Sequence, residues 1–204
     1  MKLSEIAIVP LLASEISDAA DMLGRAFVTD PMVTGLFGEI TGKMTNRLAG
    51  VFSLMLGVLP SDNICVKNGE RIVAVMRMVK PGECQPSRRH VLKALPRLLA
   101  ATGTRMPRVL KYLSFLEKFD PEERHLHLGP FAVDPEFQRN GIGSHLLNYF
   151  SDYVDRQGVA AFLETNKATN VRLYKGYGFS TINEASLFDV PTWFMWRPPR
   201  RTLE

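Results

Sequence analysis

The stretch Gln138-Arg139-Asn140-Gly141-Ile142-Gly143 joins an apolar run to a segment of helical spacing. The backbone N–H groups that open a helix have no intrahelical partner and lie at the positive end of its dipole. Where glycines remove the side chains, an approaching phosphate can accept hydrogen bonds from several of those groups. Gln138 and Arg139 add a polar contact and a charge beside them. A turn that merely needs positive φ is the competing reading of the two glycines. Two familiar phosphate loops are excluded. A Walker loop requires Gly-Lys-Ser/Thr, whereas Gly143 is followed by Ser144-His145, and a dinucleotide fingerprint requires a third glycine near Leu146. Just upstream, His125 and His127 alternate with Gly129, Phe131 and Val133 in an extended run, so period two sets all five on one face. An imidazole with a pKa of about 6.5 can accept a proton directly or through water.

These groups need a sheet and its covering helices to position them. Residues 6–9 read as a strand closed by Pro10. Ser14 and Ser17-Asp18 are N-cap candidates for a helix with Ile16, Ala20, Leu23 and Phe27 on one face, broken at Asp30-Pro31. A second helix is expected over 43–59, with Leu48, Phe52, Met55 and Leu59 in a stripe. Residues 63–67 and 71–79 read as a hairpin around Asn68-Gly69. A basic helical insertion follows at 81–120, punctuated by Pro81-Gly82, Pro86, Pro96 and Pro107. Its second piece, 109–119, groups Leu110, Leu113 and Leu116, with Tyr112, Phe115 and Phe119 on an adjoining stripe. Then come a strand at 125–133, a helix over 141–156 stopped by Gly158, and a strand at 159–165. A short helix at 168–175 and strands at 178–182 and 187–197 complete the order. It predicts a mixed α/β (α+β) sheet with helices on its faces, in one domain over 1–204.

At 204 residues and 46% hydrophobic content, the chain can bury one substantial core. Its apolar stretches are too short to span a bilayer, and the N-terminal run, interrupted by Glu5, does not read as a signal peptide. Cys65 and Cys84 lack metal-ligand spacing, which suggests a reducing cytoplasm, no disulfide framework and no metal. The net charge of +4 fits an anionic ligand, but no nucleic-acid-binding module is recognisable.

The glycine stretch, preceded by Phe131-Ala132-Val133-Asp134-Pro135, resembles the acetyl-CoA motif of the GNAT superfamily of N-acetyltransferases. A second block runs Leu163-Glu164-Thr165-Asn166, then Asn170, then Leu173-Tyr174-Lys175-Gly176-Tyr177-Gly178-Phe179. It resembles that family's strand–helix segment ending N-x-x-x-Y-x-x-x-G-F. The blocks stand in the family's order, and the match covers 125–180; the N-terminal half agrees in element order. The resemblance implies a mostly antiparallel central sheet that splays between its fourth and fifth strands. It implies that the pantetheine arm of acetyl-CoA runs along the backbone of Phe131, Ala132 and Val133. The pyrophosphate is then expected on the amides of Arg139, Gly141, Gly143 and Ser144, with Gln138, Asn140 and Ile142 in the same loop. Asn170 is expected either to contact the arm or to cap its helix, and Tyr177 to pack or to touch the coenzyme. Arg172 and Lys175 are within reach of a 3′-phosphate.

Acyl transfer from a thioester to an amine moves two protons. An alkylammonium of pKa about 10 must lose one before it attacks, and the departing thiolate gains one. Tyr174 stands at the family's general-acid position; the plainer alternative is an aromatic packed on the sheet. His125-Leu126-His127 resembles a His-x-His pair of some amine acetyltransferases, which makes His127 the expected base and Glu164 the next candidate. Acceptors in this family bind between the first helices and the last hairpin. Those segments here offer Phe27, Asp30, Pro31, Phe37 and Glu39, then Trp193, Phe194 and Trp196. Asp30 or Glu39 would hold an ammonium group, and Phe37 and Trp193 would line an apolar wall. "AFVTDPMVTGLF" and "LET" resemble the branch that contains puromycin-type antibiotic acetyltransferases, which implies a small-molecule amine. The other function class is a non-catalytic acyl-CoA-binding module on the same fold. In either class the basic stretch 88–118 reads as a lid, a homodimer contact or a patch for an acidic partner, against the plain alternative of a solvated helix pair.

Overall fold

Strands β1 (Ile8–Pro10), β2 (Asp62–Asn68), β3 (Arg71–Val79), β4 (His125–Val133), β5 (Ala160–Thr165), β6 (Ser180–Leu187) and β7 (Val190–Arg197) form one sheet. This is the architecture of a computed structural model that describes residues 7–38, 41–84 and 87–199. Ile6, Glu5, Glu39 and Pro86 of the sequence reading lie outside the described residues. The strand order is β1-β2-β3-β4-β5-β7-β6, and every pairing is antiparallel except that of β4 with β5. The helices are α1 (Ile16–Phe27), α2 (Pro31–Phe37), α3 (Met44–Gly57), α4 (Arg88–Thr102), α5 (Met106–Phe119), α6 (Ile142–Gln157) and α7 (Ala168–Lys175). The mixed, mostly antiparallel sheet expected from the sequence is therefore present. No helix among the described residues is long and apolar enough to cross a membrane.

Two cores sandwich the sheet. On one face Ile142, Leu146, Leu147, Phe150 and Val154 of α6 recur at helical spacing and meet Met76, Leu128 and Leu163 of the strands. On the other, α1, α2 and α3 bury Leu23, Leu36 and Phe52 against Cys65, Ile72 and Val75. Full burial of each such side chain stabilises by about 1.5–3 kcal/mol, so the two apolar faces together fix which side of every strand points where.

The seam that matters lies between β4 and β5. They pair only at His125–Ala160, Leu126–Ala161 and His127–Phe162. Beyond His127, β4 keeps β3 on one side and has no strand on the other. On the β3 side, Met76 faces Phe131 and Met78 faces Leu128, so two steps of β3 span three of β4. The extra residue is a bulge at Gly129-Pro130, where a glycine and a donor-less proline fit a locally broken ladder. This corrects the single-face expectation for the five residues. The bulge reverses the alternation, so Phe131 and Val133 pack with Leu126 and Leu128 against α6, opposite His125 and His127.

Local chemistry accounts for other departures. Neither Ser14 nor Ser17 caps α1, which instead grows from a 3-10 turn at Ala13–Glu15. Asp30-Pro31 ends one helix and begins the next: the Asp30 carboxylate accepts from Met32 N at 3.0 Å, and Pro31 takes the first helical position of α2. β6 runs on to Leu187 and β7 begins only at Val190, three residues later than expected, because Phe188 and Asp189 both adopt positive φ, 54° and 62°, and close a two-residue hairpin. The Phe188 ring lies under the Arg108 guanidinium, 4.1 Å away. The segment between β3 and β4 is also more than a solvated pair. Phe119 of α5 stacks on Phe194 at 4.5 Å and Phe115 sits 5.7 Å from the same ring, while Leu110 and Leu113 face outward.

Asp134 anchors the end of β4. Its buried carboxylate accepts from Arg25 at 2.7 Å, Arg71 at 3.1 Å and the Glu136 amide at 3.1 Å. Burial alone would raise its pKa, but Arg25, the amide and Arg71 outweigh it and hold the carboxyl below the usual value. A depressed folded-state pKa gives stability that is fully present above the unfolded value, about 3.9, and lost as pH falls through the folded one. Asp134→Asn is expected to destabilise the protein by roughly 1–3 kcal/mol at neutral pH. Denaturant titrations should show that gap closing below about pH 4. A gap that stays constant into acid would contradict this assignment.

Candidate active site

Asp134 N donates to Val73 O at 2.8 Å and Ala132 stands opposite Val75, so the backbone of Ala132 turns toward β3. By alternation, Phe131 and Val133 direct their N–H and C=O groups into the open seam. Of the three backbone contacts expected at 131–133, the geometry thus leaves two. The glycine loop follows. Arg139 and Gly141 both have positive φ, 65° and 78°, bracketing Asn140, and Gly141 is the N-cap of α6. Successive amides in such a turn point inward and form an anion-binding concavity, continued by the opening amides of α6 at Ile142, Gly143 and Ser144. The side chains of Gln138 and Asn140 work within the loop: Gln138 Nε2 donates to Val133 O at 3.0 Å and Asn140 Nδ2 to Phe137 O at 3.2 Å. A Cβ on Gly143 would rest 3.7 Å from both Phe131 and Val133, an ordinary packing contact, so the packing of α6 on β4 does not itself require a glycine here.

The second sequence block is brought to the first. The Tyr177 hydroxyl donates to Ser144 O at 3.3 Å, tying the end of α7 to the start of α6. Asn170 Nδ2 donates to Thr165 Oγ1 at 3.3 Å, which fixes α7 on the end of β5. Tyr174 is buried on the α6–α7 face, edge-on to Phe179 with ring centroids 5.9 Å apart. None of the hydrogen bonds among the described residues uses its hydroxyl. Burial, reinforced by the charge of Glu164, pushes its pKa well above the usual phenol value, so the proton is firmly held.

On the opposite face His127 Nε2 lies 2.8 Å from Glu164 Oε2. Burial works against a charged imidazole here, but Glu164 and Cys84 outweigh it and raise His127 to about 10. His125 Nε2 lies 3.5 Å from Cys84 Sγ and 3.4 Å from Asp120 Oδ1, and its Nδ1 is 2.7 Å from Glu123 O. Against burial, these neighbours raise His125 to about 9. Burial would push the Cys84 thiol up, yet the two imidazoles pull it down to about 7.

The three acceptor candidates do not converge. Asp30 is mostly buried, 3.8 Å from Lys167 Nζ, and burial raises its pKa. Phe37 belongs to the α1–α3 core, with Arg47 over its ring at 5.6 Å. Trp193 packs on the α6–α7 face, whereas its neighbours Phe194 and Trp196 point to the histidine side, where Trp196 meets His125 edge-on at 5.7 Å. Two residues passed over in the sequence belong to the site. Tyr112 of α5, on the Phe115–Phe119 stripe, is held far above its usual pKa by burial and by the charges of Glu164 and Asp30. Arg77 donates to Gly129 O and Pro60 O, both at 3.2 Å, and braces the bulge from β3. Burial lowers it to about 10, still a cation. A lone arginine in the run Ile72-Val73-Ala74-Val75-Met76-Arg77-Met78-Val79 was the available signal.

The solved structure of histone acetyltransferase HPA2 and related acetyltransferase from Corynebacterium glutamicum superimposes over 98% of this chain and 99% of its own, with a TM-score of 0.74 at 21% identity. Arylalkylamine N-acetyltransferase 2 of Aedes aegypti matches 96% of this chain and 100% of its own, with a TM-score of 0.64 at 14% identity. In sequence, the [ribosomal protein bS18]-alanine N-acetyltransferase of Escherichia coli is 39% identical over 59 residues, 28% of this chain. The match spans only 38% of the length of that curated relative. At the identities seen, the two structures speak for the fold. Residues 59–179, more than half of the sequence and containing both the seam and the glycine loop, match the acetyltransferase (GNAT) family, and the chain belongs to it.

Proposed function

We propose that the protein is an acetyl-CoA-dependent N-acetyltransferase that acts on a small-molecule amine in the cytoplasm. The observation that carries this reading is the open edge of β4 past His127, flanked by the His127–Glu164 pair on one face and Tyr174 on the other. The residues fit the coenzyme. A free strand edge suits an amide-bearing arm, and the concavity at 139–144 suits a pyrophosphate. Bound there, acetyl-CoA supplies an activated acetyl group.

The chain's own groups then handle orientation and protons. Phe131 and Val133 hold the arm, and the α6 amides hold the phosphates. The Glu164 carboxylate beside His127 strengthens the hold of its imidazole on a proton, so His127 takes up the proton that the acceptor ammonium gives up, directly or through water. Tyr174, desolvated and firmly protonated, gives its proton to the departing sulfur.

A thiol-release assay with acetyl-CoA and a panel of acceptors tests this. The panel holds aminonucleosides, polyamines, arylalkylamines, amino acids and peptides beginning with alanine. Turnover on free amines, above that on peptides, is expected. Activity confined to the alanine peptides would replace the small molecule by a protein terminus, the acceptor named for the E. coli relative. Coenzyme binding with no turnover on any amine would favour the acyl-CoA-binding module instead.

A further inference from the structure

One ligand atom from each of Cys84, Asp120, His125 and His127 lies within 4.8 Å of the other three. Cys84 is 3.5 Å from His125, His125 is 3.4 Å from Asp120, and His127 is 3.9 Å from Asp120. A tetrahedral zinc ion with bonds of about 2.0–2.3 Å has ligand-to-ligand edges of about 3.3–3.7 Å. Of the six edges, two match, a third at 3.9 Å needs to close by a few tenths of an ångström, and the other three lie within 4.8 Å and need to close by up to about 1 Å. Each imidazole turns its other nitrogen to an acceptor outside the cluster. His125 Nδ1 meets Glu123 O at 2.7 Å, and His127 Nε2 meets Glu164 Oε2 at 2.8 Å. A backbone carbonyl and a carboxylate are the partners that orient metal-bound histidines and set their tautomers.

We propose that these four side chains form a tetrahedral site for Zn2+, and that its occupancy withdraws His127 from proton transfer. A thiolate with two imidazoles selects zinc over magnesium or calcium. With all four positions filled by protein, the site is closed and holds the ion instead of activating a water. Cys84 follows β3 and Asp120 follows α5, so the ion would pin both ends of the α4–α5 segment to β4. The separation of 41 positions between Cys84 and His125 hides the set from any spacing rule. The metal-binding half stands apart from acetyl transfer, whereas the loss of turnover rests on His127 as the base.

Titration of the chelator-treated full chain with Co2+ tests the binding half. One equivalent should give the intense visible bands of tetrahedral cobalt with a thiolate-to-metal charge-transfer band, and Zn2+ should displace it one for one. Zinc at a hundred times its Kd should raise the Tm by roughly 5 °C or more. Cys84→Ser should abolish the charge-transfer band, and both it and Asp120→Asn should weaken zinc at least about tenfold. Zinc should cut acetyl transfer by wild type at least about tenfold, reversibly with chelator, while Cys84→Ser still turns over and escapes inhibition. No thiolate-to-cobalt band, or unchanged zinc affinity in Cys84→Ser, would overturn the site. Full turnover by the zinc-loaded protein would overturn the withdrawal of His127. Should no amine prove to be a substrate, the cobalt spectrum still decides the binding.

Discussion

Tyr174→Phe is expected to lower turnover roughly ten- to a thousand-fold while leaving the fold and the acetyl-CoA affinity in place. The substitution keeps the ring, its edge contact with Phe179 and its place between α7 and the sheet. It removes the hydroxyl alone. Because that hydroxyl makes no hydrogen bond among the described residues, its loss should be neutral or slightly stabilising. Activity and stability should therefore move apart, which simple packing cannot produce. A purely structural tyrosine predicts the reverse: near-normal kinetics for phenylalanine and instability for alanine. Single-turnover kinetics with saturating coenzyme, alongside denaturant unfolding, separates the two. Wild-type turnover under conditions where chemistry limits the rate would remove Tyr174 from the mechanism.

Arg197→Met should be the most destabilising single change in the second half of the chain, at about 3 kcal/mol. Arg197 is 2% exposed, and its guanidinium grips both Asp155 oxygens at 2.8 Å while Nε donates to Tyr177 O at 2.9 Å. One side chain thereby ties β7 to the end of α6 and to the turn after α7. Gly178, at φ 86°, passes over the same shaft, where an added Cβ would sit 3.5 Å from Nε. Methionine fills much of the volume but leaves the Tyr177 carbonyl without its donor and Asp155 without its fork. Asp155 is a quarter exposed, so water recovers part of the loss, and the expectation sits at the lower end for broken buried pairs. Against a typical total of about 5–15 kcal/mol, 3 is a large fraction. Arg197→Lys, which keeps charge without the fork, should recover only part of it. A loss under about 0.5 kcal/mol in denaturant unfolding would show that the pair is replaceable by solvent.

Features written in contiguous residues could be read from the sequence. The glycine loop, the Asn170–Tyr174–Phe179 spacing and the Asn68-Gly69 hairpin each rest on a local backbone demand, and each lies where it was expected. The histidine face was misplaced because alternation assumes an unbroken ladder. Gly129-Pro130 inside the strand was the sign of a bulge, and one extra residue turned Phe131 and Val133 to the other side. The last turn falls at Phe188-Asp189 and not at 183–186, because these two residues take positive φ without the glycine or asparagine that would signal it. Cys84, Asp120 and Tyr112 could not be grouped with His127 from sequence. They come from a loop and a helix that only tertiary packing lays over β4. Trp193 was assigned to the acceptor side by proximity in sequence to Phe194 and Trp196, whereas strand alternation sends it to the opposite core.

In the proposed function the β4 edge and the α6 entrance receive acetyl-CoA. Amide hydrogen exchange, read residue by residue with and without the coenzyme, tests it most directly. Protection is predicted at Phe131 and Val133 and across residues 139–144, with Ala132 little changed because its N–H is already directed to β3. Saturating coenzyme that leaves those amides exchanging as before, or that protects another surface instead, would contradict the account.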